Sequence, residues 1–530
     1  MLPDGPAPRR PRPRPRRIAW LLAVAGCALG TASIGAAPAL AAGPRVTEEQ
    51  RISDRVRVLT IATDAFARPT NVDVFLPVGY DADPNRRWPV TYVTAGTMNN
   101  YDSFRKVVKG VTLTERYPSI IVSPDGNSGY WSDWYNGGAG GAPKYETFVI
   151  DQLIPLIDGR YRTIADRAQR VIFGISMGGY GAMMLAARHP DRFAAVASLS
   201  GAVNSNDPLL AGALSASSTF DGGAPDAIYG PRSTQEIRWR GHNPLDLAEN
   251  LRDLDLQVRT ANGTLNPGIG ENPLSADTVS CVVEGGVHGG SVDFHRRLVA
   301  IGKAHVWKDY GDGCHTVPNF KREIVDALAG LTKVLAAPPA APTSIDYRSI
   351  EPRFDVWGWQ VATDPQRALE FLRLQGDRDA VSLTGSGRTS VATPPAYRGL
   401  ALVDVGGTPT PVDAEGRVRF TVDLGPANRV QQDTGTATRF VTRRVTLAPH
   451  AFLRITSARR VRRGVRACVQ ALGGTVRGAR LRAGSRTARV DADDQVRCRV
   501  LRAPRATRVR ASGTDAFGHP ARATARVRRG

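Results

Sequence analysis

Residues 171–189 read Val171-Ile172-Phe173-Gly174-Ile175-Ser176-Met177-Gly178-Gly179-Tyr180-Gly181-Ala182-Met183-Met184-Leu185-Ala186-Ala187-Arg188-His189. The apolar run Val171-Ile172-Phe173 predicts a buried strand, and Gly179–Ala187 an apolar helix. Between them, Gly174-Ile175-Ser176-Met177-Gly178 must turn sharply. Strand, G-x-S-x-G, helix is the context of a nucleophile elbow. A serine on such a turn stands clear of the backbone. The first helical turn behind it offers unpaired N–H groups to a developing oxyanion.

Outward from this stretch, apolar runs alternate with helical segments. Strands are expected at Val72–Leu76, Trp88–Thr94, Ser119–Ser123, Arg170–Gly174, Ala194–Leu199, Leu256–Ala261 and His305–Tyr310. Helices are expected at Tyr145–Leu156, Val292–Ile301 and Phe320–Val334. The alternation predicts a mostly parallel sheet covered by helices, and residues 42–335 suit a single domain of that kind. Residues 336–344, opening Ala336-Ala337-Pro338-Pro339-Ala340-Ala341-Pro342, read as a linker.

Beyond the linker the pattern changes. Residues 345–450 form a β-rich module with strands expected at Leu400–Val405 and Val418–Leu424. Residues 451–530 alternate Arg with small apolar residues, as in Val496-Arg497-Cys498-Arg499-Val500, the pattern of half-buried antiparallel strands. Thr514-Asp515-Ala516-Phe517-Gly518-His519 resembles the late turn of an Ig-like sandwich. The expected fold class is therefore an α/β-hydrolase catalytic domain followed by two smaller all-β modules of Ig-like sandwich type.

Residues 1–41 read as an export signal. Six arginines end at Arg17, an apolar run starts at Ile18, and Ala39-Leu40-Ala41 supplies a cleavage site. Arg16-Arg17 fits twin-arginine export. Val24-Ala25-Gly26-Cys27 resembles a lipoprotein box, but the later A-x-A site favours release over lipidation of Cys27. The chain is expected to be secreted or held in the cell envelope. Removing the signal leaves Cys281, Cys314, Cys468 and Cys498. An even number in an exported chain suggests two disulfides. Three pairings are possible, and the module boundary favours Cys281–Cys314 with Cys468–Cys498.

The net charge of +21 is concentrated at the two ends. Residues 451–530 hold 21 arginines and four aspartates, a net +17, while residues 1–17 contribute about +5. Residues 18–450 are thus near neutral. Two readings of the Arg-rich module stay open: contact with an acidic cell-wall polymer or anionic lipid, and a face that is merely solvated. The module carries no aromatic interleaving of the kind that stacks bases, so no nucleic acid is expected.

A serine nucleophile needs a base and an acid that orients it. His189 and His242 come too early in the chain, His295 falls in a helix, and His305 opens a strand. His315 lies in Gly311-Asp312-Gly313-Cys314-His315-Thr316, directly after a strand, where the base belongs. Spacing alone leaves the acid open among Glu271, Asp277, Glu284 and Asp293. No zinc-type Cys/His spacing occurs, and neither metal nor cofactor is expected.

The body from about Val72 to Leu331 resembles the esterase family that includes S-formylglutathione hydrolases and secreted mycolyltransferases of the antigen 85 type, and it is more similar to the second branch. The resemblance rests on Tyr130-Trp131-Ser132-Asp133-Trp134-Tyr135, Lys144-Tyr145-Glu146-Thr147-Phe148, Gly174-Ile175-Ser176-Met177 and Tyr229-Gly230-Pro231. Trp239, Arg240, Asn243-Pro244-Leu245, Asn262-Gly263 and Gly313-Cys314-His315-Thr316 complete it. It implies Glu284 as the acid, ten residues before Phe294, and the backbone N–H groups of Met177 and Thr97 as oxyanion donors. It implies a Ser176–Glu284–His315 triad acting on an acyl ester through an acyl-enzyme, with a sugar or glycerol hydroxyl as possible acceptor. A Cys281–Cys314 bridge would then staple the acid loop to the base loop. This chain departs from the family at Ala95, where an aspartate contacts the sugar acceptor, and at Thr316-Val317-Pro318, where an aromatic is expected. The alternatives are an esterase releasing acyl groups to water only, and a catalytically dead cell-wall binding scaffold.

Overall fold

The computed structural model describes residues 43–273, 278–400, 402–431, 440–448, 451–515 and 520–529. The export signal with Cys27, the acid candidate Asp277, Ala401 of an expected strand, and Ala516–His519 of the expected late turn lie outside the described residues. Residues 43–530 form one compact unit.

Its first part is built on a nine-stranded sheet. The strands are β1 (Arg45–Arg51), β2 (Val56–Ala62), β3 (Thr70–Phe75), β4 (Val90–Thr94), β5 (Ile120–Pro124), β6 (Arg170–Ile175), β7 (Ala195–Leu199), β8 (Asp255–Thr260) and β9 (Val306–Asp309). They lie in the order β1-β2-β3-β5-β4-β6-β7-β8-β9. Pairing is parallel from β5 to β9 and antiparallel among β1, β2, β3 and β5. The sequence reading missed β1 and β2. The first of these is an exposed edge strand, RVTEEQR, with no buried residue to give it an apolar pattern.

Helix α1 (Met177–Arg188) follows β6 and is buried along its whole length. Helices α2 (Pro208–Ser217), α3 (Arg232–Arg240), α4 (Thr278–Ala300) and α5 (Val317–Ala336) come later in the chain. Strand β6 is buried on both faces. Val171 and Phe173 share a core with Ile324, Leu328 and Leu331 of α5, whereas Ile172 joins Met183 and Leu185 of α1. A strand covered on both sides reads as an unbroken apolar run rather than an alternation. Each such side chain, fully buried, is worth about 1.5–3 kcal/mol. The result is a helix–sheet–helix sandwich in which the carboxyl ends of β4, β6, β7 and β8 open on one edge, where open α/β sheets hold their ligands.

The chain beyond α5 is all β. One part pairs strands antiparallel in sheets of six and four around Trp359, Leu372, Leu374 and Leu383. The last part holds a three-stranded sheet (Phe452–Val461, Gly464–Leu472, Arg497–Leu501). Facing it is a four-stranded sheet in the order Arg486–Ala492, Val476–Ala483, Arg508–Thr514, Pro520–Arg526. Val465, Val469, Leu481, Val490 and Val509 fill its core. Both disulfides form as expected. Cys468–Cys498 links adjacent strands of one sheet. The two residues face each other in register, so their side chains emerge on the same face.

The Pro/Ala segment does not hold the first β module apart from the body. Tyr347 Oη donates to Arg188 O at 2.6 Å, and Asn250 Nδ2 donates to Arg348 O at 2.9 Å. Ile350 sits in the same core as Trp239 of α3.

Candidate active site

Ser176 stands between β6 and α1 with φ 60° and ψ −124°. A non-glycine residue so placed stores roughly 1–3 kcal/mol of backbone strain. The surroundings hold it there. A Cβ on Gly178 would lie 1.9 Å from Thr94 O, and one on Gly174 would lie 2.1 Å from Gly178 O. Strand β4, turn and helix therefore come this close only because positions 174 and 178 are glycine. Thr94 Oγ1 donates to Gly178 O at 2.7 Å. The parallel register sets Thr94 beside Gly174. The loop leaving β4 thereby passes over the serine, and a Cβ on Gly96 would lie 3.3 Å from Ser176 Cβ.

That loop carries Ala95, Gly96 and Thr97. The backbone N–H groups of Thr97 and Met177 have no hydrogen-bond partner among the described residues. They remain available to an oxygen in the cavity that both residues line. At Ala95, where the family resemblance implies a carboxylate contacting a sugar, the carbonyl accepts from Trp131 Nε1 at 3.2 Å.

The cavity above Ser176 has a volume of about 490 Å³ and is also lined by His315. Its walls are largely apolar, with Phe104, Val107, Leu210, Val287 and Phe320 among them. His315 follows β9 in the loop leading to α5. Its Nδ1 lies 2.7 Å from Glu284 Oε2. The Phe320 ring meets the imidazole edge to face at 4.8 Å. The His315 amide donates to Ser280 O at 3.0 Å.

Glu284 is fully buried. It stands on α4, one of the first turns of a 23-residue helix, and not in a loop. Helix α4 begins fourteen residues before the expected Val292, because Gly286 and Gly290 are contact surfaces rather than breaks. A Cβ on Gly286 would lie 2.7 Å from Leu209 Cδ2, and one on Gly290 would lie 2.9 Å from Leu210 Cδ1. The Cys281–Cys314 disulfide thus ties the first turn of α4 to the residue before His315.

The other candidates lie elsewhere. Glu271 accepts from Cys314 N at 2.9 Å, Thr316 Oγ1 at 2.6 Å and Asn266 N at 2.8 Å, and so shapes the histidine loop. Asp293 binds Asn204 Nδ2 at 3.2 Å. His295 Nδ1 meets His305 Nε2 at 2.8 Å. His189 Nε2 lies 2.7 Å from Glu146. His242 is buried with its Nδ1 on Arg238 O at 2.8 Å.

A second carboxyl lies behind Glu284. Glu284 Oε1 accepts from Ala261 N at 2.9 Å and from Ser200 Oγ at 2.7 Å. The same Ser200 Oγ lies 3.0 Å from Oε1 of Glu323, a fully buried residue of α5. A hydroxyl has one proton. With that proton on Glu284, Ser200 can only accept from Glu323, whose carboxyl must then be protonated. Burial first, and the Glu284 charge second, push the Glu323 carboxyl well above the usual carboxylate range. Sequence reading passed over Glu323. The available signal was a polar pair, Asn319 and Glu323, at i, i+4 on the buried face of an otherwise apolar helix stripe.

Residues 63–285 match the family model described as a putative esterase. An esterase of Mycobacterium tuberculosis is 28% identical over 290 residues, which is 54% of this chain and 61% of the relative. The diacylglycerol acyltransferase/mycolyltransferase Ag85B of Mycobacterium leprae is 27% identical over 229 residues, 42% of this chain and 67% of the relative. Among solved structures, MPT51 of Mycobacterium tuberculosis aligns at 18% identity over 53% of this chain and 100% of its own, with a TM-score of 0.43. The chain therefore spans about 61% of the length of the first of these curated relatives. The likeness to esterases, the mycolyltransferase branch included, is carried by the first part of the chain.

Proposed function

We propose, from the esterase family that residues 63–285 match, that this protein is an exported serine esterase or acyltransferase using Ser176, His315 and Glu284. The observation that carries the reading is one arrangement. A strained serine and a histidine line the same apolar cavity, and the histidine is held at 2.7 Å by a fully buried carboxylate.

The chemistry follows from that arrangement. Ser176 Oγ attacks the ester carbonyl while His315 Nε2 takes its proton. Glu284 fixes the tautomer with the proton on Nδ1 and offsets the charge of the imidazolium. The N–H groups of Met177 and Thr97 receive the oxyanion. The C–O bond then breaks, and the departing alcohol takes the proton back from His315. The acyl-enzyme left on Ser176 passes to water or to a second alcohol by the same steps in reverse. An apolar cavity of about 490 Å³ suits an acyl chain better than a sugar. The missing carboxylate at Ala95 favours water, or a glycerol-like acceptor, over a disaccharide. Export is supported by the two disulfides, and an Ig-like sandwich type for the last module by its two facing sheets.

The test is turnover of p-nitrophenyl esters of increasing chain length by the full chain and by Ser176→Ala, with and without glycerol or trehalose. Ester cleavage is expected to fall at least 1,000-fold in the variant. Acyl-glycerol in the products would assign transfer, and free acid alone would assign hydrolysis. Absence of both wild-type turnover and labelling by a fluorophosphonate would make the body a scaffold without chemistry.

A further inference from the structure

We propose that the outer face of the last four-stranded sheet binds a linear polyanion, a polymer carrying phosphate or carboxylate groups along its length. The proposal stands apart from the esterase reading, since the face belongs to a different module. Alternation along the strands turns Leu481, Val490, Val509 and Ala511 into the core. The residues between them form the opposite face, and they are exposed.

That face is paved with arginine in a repeating register. Arg480 sits directly opposite Arg489 on one side and Ser512 on the other. Arg482 sits opposite Thr487 and Arg510. Arg508 sits opposite Arg526, Arg510 opposite Thr524, and Ser512 opposite Arg522. Three arginine pairs thus stand face to face, an arrangement that costs stability in a sheet standing alone. Among the described residues, no carboxylate forms an ion pair with these arginines. The ion pair found within this module, Arg497–Asp493, joins a strand of the other sheet to the loop between the two sheets. The aspartate at the edge of the face, Asp491, accepts from Gly478 N.

The spacing and chemistry define the ligand. Neighbouring strands lie about 4.8 Å apart, and same-face residues along a strand about 6.7 Å. The guanidinium forks therefore form a lattice that meets successive anionic groups bidentately. Ser512, Thr487 and Thr524 add hydroxyls between them. The face carries no aromatic ring for base stacking. None of its four strands exposes a large apolar side chain that could enter a bilayer. The sheet's twist winds the arginine rows, which suits an extended chain better than a plane.

The test uses the full chain and long-chain inorganic polyphosphate, titrated by calorimetry at several NaCl concentrations. Binding is expected to weaken roughly 100-fold between 50 and 200 mM salt if about four arginines are engaged. The variant Arg480→Ser/Arg482→Ser/Arg510→Ser should lose affinity at least tenfold. Its p-nitrophenyl butyrate turnover should not change, and its Tm should equal or exceed that of the wild type, because like-charge pairs are removed. A matched variant on the other sheet, Arg454→Ser/Arg459→Ser/Arg466→Ser, should keep affinity within about twofold. Equal loss in both variants would overturn the assignment to this face. So would binding to phosphatidylglycerol vesicles or duplex DNA with none to polyphosphate.

Discussion

Glu284 serves His315 through one oxygen and is held through the other. Its Oε2 faces the imidazole, while Oε1 takes hydrogen bonds from Ala261 N and Ser200 Oγ. The Glu323 proton completes this chain by donating to Ser200. Its carboxyl titrates far above the usual range, so the folded state holds a proton that the unfolded state releases near pH 4.3. For an acid whose folded pKa is raised, stability is greatest below the unfolded pKa and falls as pH rises above it. Glu323→Gln supplies the same donor to Ser200 with no proton to lose. It is expected to retain turnover within about threefold and to flatten the decline of Tm between pH 5 and 7. Glu323→Ala should cut kcat at least tenfold, because Ser200 then loses a partner and a cavity opens behind Glu284. A Gln variant as impaired as the Ala variant would show that Glu323 works as an anion.

At the scale of elements, α4 and the loop before α5 act as one piece. The disulfide joins Cys281 in the first turn of α4 to Cys314, and the next amide, His315 N, reaches back to Ser280 O. Closing a loop of 33 residues is worth about 3–4 kcal/mol in the chain-entropy model. The bond lies beside the histidine and far from most of the sheet, so its loss should fall first on catalysis. Verified reduction, or Cys281→Ser/Cys314→Ser, is expected to lower kcat at least tenfold while far-ultraviolet circular dichroism at 25 °C stays unchanged. Unaltered turnover after reduction would sink that expectation. These elements also mark where the sequence was readable. The elbow was plain, because burial on both faces makes β6 an unbroken apolar run and close approach demands Gly174 and Gly178. His315 was legible from its place after a strand. Glu284 was not, because four glycines in α4 mask its helical character until Leu209 and Leu210 are seen against them. It was reached only through the family resemblance. Ser200 meets Glu284 across 84 residues and Glu323 across 123, a convergence that no local pattern announces.

At the scale of the whole molecule, the body and the first β module share a buried ion cluster. Arg188, at the end of α1, donates to Glu146 of the body at 2.7 Å and to Glu351 of the module at 2.7 Å. The helix that follows Ser176 thus ends at the module interface. Burial alone pushes both carboxyls up, but Arg188 and His242, joined at Glu146 by His189, together outweigh it and hold both below the usual range. For an acid so depressed, the stabilisation is present above its unfolded pKa near 4.3 and is lost as pH falls towards the folded value. Arg188→Met leaves Glu146 buried without its guanidinium, and removing one partner of a buried pair costs roughly 3–5 kcal/mol. The variant should therefore unfold at markedly lower urea than the wild type at pH 7. The gap should begin to narrow at pH 3.5, where the unfolded carboxyls are already mostly protonated and part of the wild type's advantage is gone. Glu351→Gln should be milder, because its side chain is 37% exposed and water can solvate what remains. If the cluster docks the module, Arg188→Met should also expose the segment 336–352 to proteolysis while the isolated fragments stay folded. A wild-type urea midpoint in that variant, with the same cleavage pattern, would mean that Tyr347, Asn250 and Ile350 carry the docking without the ion cluster.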